Sequence, residues 1–372
     1  MTTSPSLLPE GLRDRLPPEA EALGRVRRAV LLTTNLNGYV RVEPPLAEFE
    51  ATLLGRLKSS RPTDLLRVLD PVSQRMLALR PDITAQVGRM ASTRLAHRPR
   101  PLRLCYAGQV LKVRGTQLRP EREMCQAGAE IIGTDSVPAV IEAIRVALDA
   151  LIAAGATGLS VDLTLPDLVP LLAAGPMPLP AGVLDAVVTE LDGKDAGALA
   201  ALGALAYLPL IEAAGPVDAA LARLATLGAE DMLASRLGGV RAIVAAIGAR
   251  ATFTLDPTER HGFEYQSWIG FSIFAAGVRG EVGRGGSYSI VHPDGHEEPA
   301  VGFSLYLDPI VDAGVAPEGR DRVFLPLGTD DATAERLRCD GYATVAALSD
   351  ADDATALGCT HVWANDALQS IR

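Results

Sequence analysis

The chain has 372 residues, long enough for two or three domains, and 48% of them are apolar against 22% charged. That balance belongs to a globular protein with a sizeable core and excludes a disordered chain. No apolar run reaches the ~18 residues of a membrane span without a charge or a turn-former. The first residues show no basic region followed by an apolar stretch, so no secretory signal is expected and a cytoplasmic location is. The net charge is −10, whereas a protein that grips phosphate backbones shows a basic surplus or stripe.

Residues 17–33 repeat Ala20, Leu23, Val26 and Val30 at helical spacing, and NLNG breaks the pattern. YVRV then predicts a short strand, Pro44 and Pro45 stop it, and a second amphipathic segment follows. LLRVLD and RMLALR flank DPVSQ as a hairpin, with a helix expected over 81–92. Residues 101–113 alternate as a strand, RGTQLRPER connects, EMCQAGAEIIG returns, and 137–154 reads as an apolar helix. From about 165 to 250 the chain is rich in Ala and Leu and punctuated by Gly and Pro, which fits several short packed helices. ATFTLDP, GFEYQSWIGFSIFAAG, GGSYSIV and PAVGFSLYLDPIV then read as strands joined by turns, so an antiparallel sheet is expected rather than βαβ winding. Beyond residue 315, RVFLPLG, DATAERLRCDGY, ATVAAL, DADDATALG and THVWAN alternate strand, helix, strand, helix and strand, a small α/β domain.

Cys105, Cys125, Cys339 and Cys359 lie far apart with no CxxC pair, which reads as reduced and mostly buried thiols rather than a zinc site or disulfide. His292 and His296 stand in HPDGHEE, but Pro293, Asp294 and Gly295 between them read as a hairpin tip. Neither a metal nor a cofactor is expected. Basic residues are nearly all arginine; lysine occurs only as Lys58, Lys112 and Lys194.

In order, several segments resemble the motifs of class II aminoacyl-tRNA synthetases, and of histidyl-tRNA synthetase in particular. GYVRVEPPLAEFE resembles the first motif, whose proline, here Pro45, sits at a dimer interface. LRPDITAQVGR is similar to the histidine enzyme's RPE-G-T-x-x-x-R segment. CYAGQVLKV with EREMCQAGAEIIG resembles the second motif, HGFEYQSWIGF the histidine-specific segment, and GRGGSYS with PAVGFSLYLD the glycine-rich strand and third motif. The resemblance spans about residues 9–307. It implies an α+β fold, an antiparallel sheet flanked by helices, in core segments 1–164 and 251–314. A helical insertion would occupy 165–250 and a small α/β domain 315–372.

Residue by residue, the resemblance puts Asp82 and Thr84 at a ligand's ammonium and Glu130 and Tyr265 near its ring, with Gln126 a further binding residue on the strand face of Glu130. Each has another reading from its residue type. Asp82 and Thr84 suit the first turn of a helix; Gln126 and Glu130 could form a buried hydrogen-bonded pair; Tyr265 could fill the core. Gly128 between them suggests room left for a ligand. Lys112 stands where the family has an arginine, keeping the charge without the fork and expected to meet the ligand's carboxylate, and Arg122 falls at a position that approaches ATP. Other activation positions depart from the pattern. His261 replaces an arginine, with Arg260 one residue early; the tyrosine pair is Tyr265-Gln266; Tyr306 replaces a glycine and Pro309 the third-motif arginine.

The tail is also shorter than the family's anticodon-binding domain, so no tRNA partner is expected. A family of synthetase relatives, the regulatory subunits of ATP phosphoribosyltransferase, shares these departures. The resemblance to it implies a non-catalytic homodimer that joins short-form catalytic subunits in a hetero-octamer, activates them and conveys feedback by L-histidine. A divergent synthetase-like enzyme and a synthetase-derived scaffold are the alternatives.

Overall fold

The computed structural model describes residues 8–53, 65–115, 120–227, 230–260 and 266–371. His261 and Tyr265 lie outside the described residues. The chain divides into two compact units, Met1–Ala316 and Pro317–Arg372. No helix among the described residues is long and apolar enough to cross a membrane.

In the first unit, helix α1 (Glu19–Leu36) leads into strands β1 (Val40–Arg41) and β2 (Ala47–Phe49) and the single turn α2 (Glu50–Leu53). The segment after Pro45 therefore opens as a strand before turning helical: β2 pairs with β4 (Met76–Leu79), which also pairs with β3 (Leu66–Leu69) across the expected hairpin. Helix α3 (Thr84–Ser92) precedes the long strands β5 (Leu102–Leu111) and β6 (Glu123–Ile132), then α4 (Val137–Ala153) and β7 (Ser160–Thr164). The Ala- and Leu-rich stretch folds as α5 (Leu168–Ala174), α6 (Leu184–Asp192), α7 (Ala196–Ala201), α8 (Leu208–Glu212), the two-residue strand β8 (Gly215–Pro216), α9 (Val217–Ala225) and α10 (Glu230–Ile247). β9 (Thr252–Leu255), β10 (Gln266–Phe274), β11 (Gly283–Val291), β12 (Glu297–Tyr306) and the short α11 (Asp308–Asp312) complete the unit.

Among the described residues one nine-stranded sheet runs in the order β1-β5-β6-β12-β11-β10-β7-β9-β8. From β5 to β7 its pairings are antiparallel, as expected. Two pairings are not: β1 lies parallel to β5, and β7 parallel to β9. The second follows from the helices between β7 and β9, which return the chain to the same end of the sheet as a parallel crossover must.

Alternation along β6 divides its side chains between two faces. Cys125, Ala127, Ala129 and Ile131 join Val26 and Val30 of α1 and Ile144, Leu148 and Leu151 of α4 in the larger core. Gln126, Gly128 and Glu130 face the other way, toward α3. There Ile83, Val87 and Ala91 pack with Leu104, Tyr106, Tyr288 and Ile290. The polar positions of the site therefore lie on the face closed by α3.

The second unit contains β13 (Arg322–Leu325), α12 (Asp331–Cys339), β14 (Ala343–Ala346), β15 (His361–Ala364) and β16 (Ala367–Ser370). The second helix expected in DADDATALG does not form. Asp352 accepts hydrogen bonds from the backbone of Leu348 and Ser349, and Asp353 from that of Ala356, and such local side-chain bonds favour turns over helix. An additional strand, β16, pairs antiparallel with β15. Cys105, Cys125 and Cys359 are buried free thiols and Cys339 is exposed; residues 292–296 form the expected tip, closed by His292 N–H on the His296 carbonyl.

Leu148 is fully buried where α4 crosses the sheet. Leu148→Ala should lower unfolding free energy by about 2–5 kcal/mol, read as a shifted urea midpoint. A loss below about 0.5 kcal/mol would contradict this packing.

Candidate functional site

Strand register assembles the site in rows across the sheet. Tyr106 of β5 pairs with Gly128 of β6, which pairs with Ser304 of β12, which pairs with Arg284 of β11. In the next row Glu130, Gly302, Gly286 and Gly270 follow one another on β6, β12, β11 and β10.

The Tyr106 hydroxyl is the hub. It lies 3.2 Å from Thr84 Oγ1, 3.1 Å from Ser304 Oγ and 3.0 Å from Glu130 Oε1. Counting donors orders these bonds. Gln126 Nε2 donates to Asp82 Oδ2 at 2.6 Å and to Ser304 Oγ at 2.7 Å. With Glu130 ionised, Ser304 then donates to Tyr106, as does Thr84, and Tyr106 donates to Glu130. A second phenol, Tyr288, donates to Glu130 Oε2 at 2.8 Å. Gln126 Oε1 accepts from Ile83 N–H and Asp82 Oδ1 from Thr84 N–H, so these residues also cap α3.

Glu130 is 1% exposed. Burial pushes its carboxyl up to about 8, against the pull of the Tyr288 and Tyr106 hydroxyls toward the ionised form. Burial likewise raises the Tyr106 phenol. Glycines make room for this network. A Cβ on Gly302 would stand 1.6 Å from Glu130 Oε2, and one on Gly128 2.5 Å from the Tyr106 hydroxyl. The space over Gly128 is thus filled by the phenol, not left for a ligand as the sequence suggested.

A recess opens beside this network, lined by Asp82, Thr84, Glu130, Gln266, Arg284, Tyr288, Ser304 and Tyr306 among others. It offers about 20 Å³ to the centre of a water, room for about one ordered water, so an amino acid could enter only with movement of its walls. Gln266 donates from Nε2 to the Gly285 carbonyl at 2.7 Å, which fixes the amide's orientation. Its Oε1 is buried without a hydrogen-bond partner among the described residues.

Asp82, Thr84, Gln126 and Glu130 are therefore brought together; Lys112 and Arg122 are not. Lys112 lies beyond the end of β5 with its ammonium 6.0 Å from the Tyr306 ring centre, and the recess lining does not include it. Arg122 donates to the carbonyls of Lys112 and Glu10, held against the N-terminal segment, and Tyr265 is outside the described residues. At the end of β12, Asp308 accepts from Cys125 N–H at 2.6 Å and pairs with Arg15, while Pro309 sits in the first turn of α11.

Sequence reasoning missed Tyr106, Tyr288, Ser304, Arg284 and the acceptor of Gln266. Period-two alternation from Glu130 gives a signal for the first three once the strands are paired. Arg80 was also overlooked. Its buried guanidinium donates to the carbonyls of Gln109 and Pro44, each at 2.8 Å, and occupies the space over Gly108.

The mixed sheet, its helices and this polar face define a protein of the histidyl-tRNA synthetase fold. The family model described as histidyl-tRNA synthetase matches residues 11–310, and the chain belongs to that family. Within it, a relative from Rhodospirillum centenum is 42% identical over 100% of this chain and 98% of its own length. A relative from Paramagnetospirillum magneticum is 42% identical over 98% of each. Both are named ATP phosphoribosyltransferase regulatory subunit, and the chain belongs to the family of these regulatory subunits. The solved structure of an ATP phosphoribosyltransferase regulatory subunit/histidyl-tRNA synthetase from Bacillus halodurans C shares the fold, with a TM-score of 0.78 at 22% identity over 96% of this chain and 97% of that one.

The raised Glu130 carboxyl makes stability depend on pH. The folded chain keeps this proton up to about pH 8, while an unfolded glutamate loses it near ~4.3. Between those limits the folded state binds more protons, so this group's contribution falls as pH rises, by about 1.4 kcal/mol per unit. Glu130→Gln removes that dependence. Its stability relative to wild type should climb from pH 5 to 8 and level off above, in urea titrations; parallel pH profiles would contradict the assignment.

Proposed function

We propose that this chain is a non-catalytic regulatory subunit of ATP phosphoribosyltransferase, the first enzyme of L-histidine biosynthesis. In this reading it works as a homodimer within a hetero-octamer, activates the short-form catalytic subunit, and takes L-histidine into the recess as a feedback effector. The names of its full-length relatives support the role. The observation that carries the loss of catalysis is the end of β12. Tyr306 lines the recess where the resembling synthetases have glycine, Asp308 is tied to Arg15 and the Cys125 backbone, and Pro309 replaces an arginine. Arg122, on the ATP side of the resemblance, is engaged by the protein's own carbonyls.

The polar groups suited to an amino acid persist beside this. Asp82 offers a carboxylate to an ammonium, Thr84 a hydroxyl, and Glu130 a carboxyl balanced near neutrality that can accept from or donate to an imidazole nitrogen. Feedback then requires a reciprocal coupling between histidine and the partner's active state of about 1–3 kcal/mol.

The purified protein should form no histidyl-adenylate in ATP–pyrophosphate exchange; turnover near the ~1–10³ s⁻¹ of ordinary enzymes would restore the synthetase-like alternative. Light scattering should give about twice 39.1 kDa for the protein alone, and co-purification with the transferase separates a regulatory subunit from an unrelated scaffold. In calorimetry, histidine should bind with a Kd on the order of 10–100 µM, about −5 to −7 kcal/mol, and Glu130→Gln should weaken it by about tenfold. Equal binding by both proteins would place the histidine site elsewhere.

A further inference from the structure

We infer that Arg284 holds the carboxylate of the amino acid in the recess, in place of Lys112. The inference rests on the reading of the recess as an amino-acid site and adds a residue to it. Arg284 pairs with Ser304 in the β11–β12 ladder, and Tyr288, four residues along the same strand, reaches Glu130 with its hydroxyl. Alternation therefore puts the guanidinium on the face of the sheet that carries the site. Among the described lining residues it is the one basic side chain.

The charges are arranged for a zwitterion. Asp82 is tied to Gln126 on β6, and Arg284 stands on β11, two strands away. Two strand spacings are about 10 Å. A hydrogen bond of about 2.8 Å at each end and the short span between an α-ammonium and its carboxylate bridge most of that distance. The arginine side chain reaches across the rest. A guanidinium also matches a carboxylate with two parallel N–H bonds, which an ammonium cannot. Lys112 lies beyond β5, on the far side of β6 from Arg284, with its ammonium 6.0 Å from the Tyr306 ring centre, and it is not among the residues lining the recess.

Glu281 orients the fork. Arg284 donates from Nε to Glu281 Oε1 at 2.6 Å and from an Nη to Oε2 at 2.5 Å. A ligand carboxylate competes with Glu281 for the same guanidinium, so the pair both positions the arginine and moderates its affinity.

The test compares L-histidine with histamine, which keeps the ring and the ammonium but lacks the carboxylate, by calorimetry on the full chain. Wild type should prefer histidine by about tenfold or more. Arg284→Gln should bind histamine as wild type does and lose the preference, whereas Lys112→Gln should keep it. Glu281→Gln should tighten histidine by about threefold and leave histamine unchanged, an increase that damaged folding cannot produce. A preference intact in Arg284→Gln, lost in Lys112→Gln, or unmoved by Glu281→Gln would overturn the assignment while leaving the recess as the histidine site. Wild type that binds neither compound would overturn the reading of the recess itself, and this inference with it.

Discussion

Glu130 places a carboxyl group, 1% exposed, in the middle of a sheet, and the strands around it are constrained by that burial. An ionised carboxylate taken out of water costs several kcal/mol unless it is paired or hydrogen-bonded. Here two phenols from strands on opposite sides, Tyr106 and Tyr288, converge on its oxygens, and the proton is held to about pH 8. Each consequence fixes another residue. Position 302 admits no side chain because Glu130 lies over it, and position 128 none because the Phe303 carbonyl and the Tyr106 hydroxyl crowd it. A slip of one residue in β11 would turn Tyr288 to the opposite face, so the same bonds also hold the register.

The two ends of the site have opposite chemistry. Around Glu130 the polar groups form one ordered chain of donors from Gln126 through Ser304 and Tyr106. At the end of β12 the protein's own arginines and main chain take up the polar atoms: Arg15 with Asp308, Arg13 with Asp312, Arg122 with the Glu10 and Lys112 carbonyls. Burial raises the Asp308 carboxyl, while the Cys125 N–H and Arg15 work against that shift. One fold thus carries a connected chain of polar side chains at one end and internal ion pairs at the other, and fold alone does not assign activity.

The second unit rests on a small core of its own, Val323, Leu325, Ala334 and Leu337. Its parallel strands β14, β13 and β15 are extended by the antiparallel edge strand β16. Asp330 caps α12 through Thr333 N–H, whereas Asp352 and Asp353 spend their oxygens on turns. The same residue type starts a helix in one place and prevents one in another, according to whether apolar residues recur beyond it.

The sequence by itself determined the elements with clear periodicity: α1, α3, α4, the β3–β4 hairpin and the long strands β5, β6, β11 and β12, because hydrophobic spacing and turn residues are local properties. It also determined that Asp82, Thr84, Gln126 and Glu130 belong together, through motifs whose order survives in the chain. Only the tertiary structure decided which residues complete the site. Tyr106, Tyr288 and Ser304 come from three strands, and their convergence depends on register, a relation between segments up to 198 residues apart that no local pattern records. The parallel placement of β7 and β9, the capture of Arg122 by the N-terminal segment, and the presence of Arg284 rather than Lys112 at the recess were decided in the same way. A long cationic side chain has one charge and many reachable partners, and only packing selects among them.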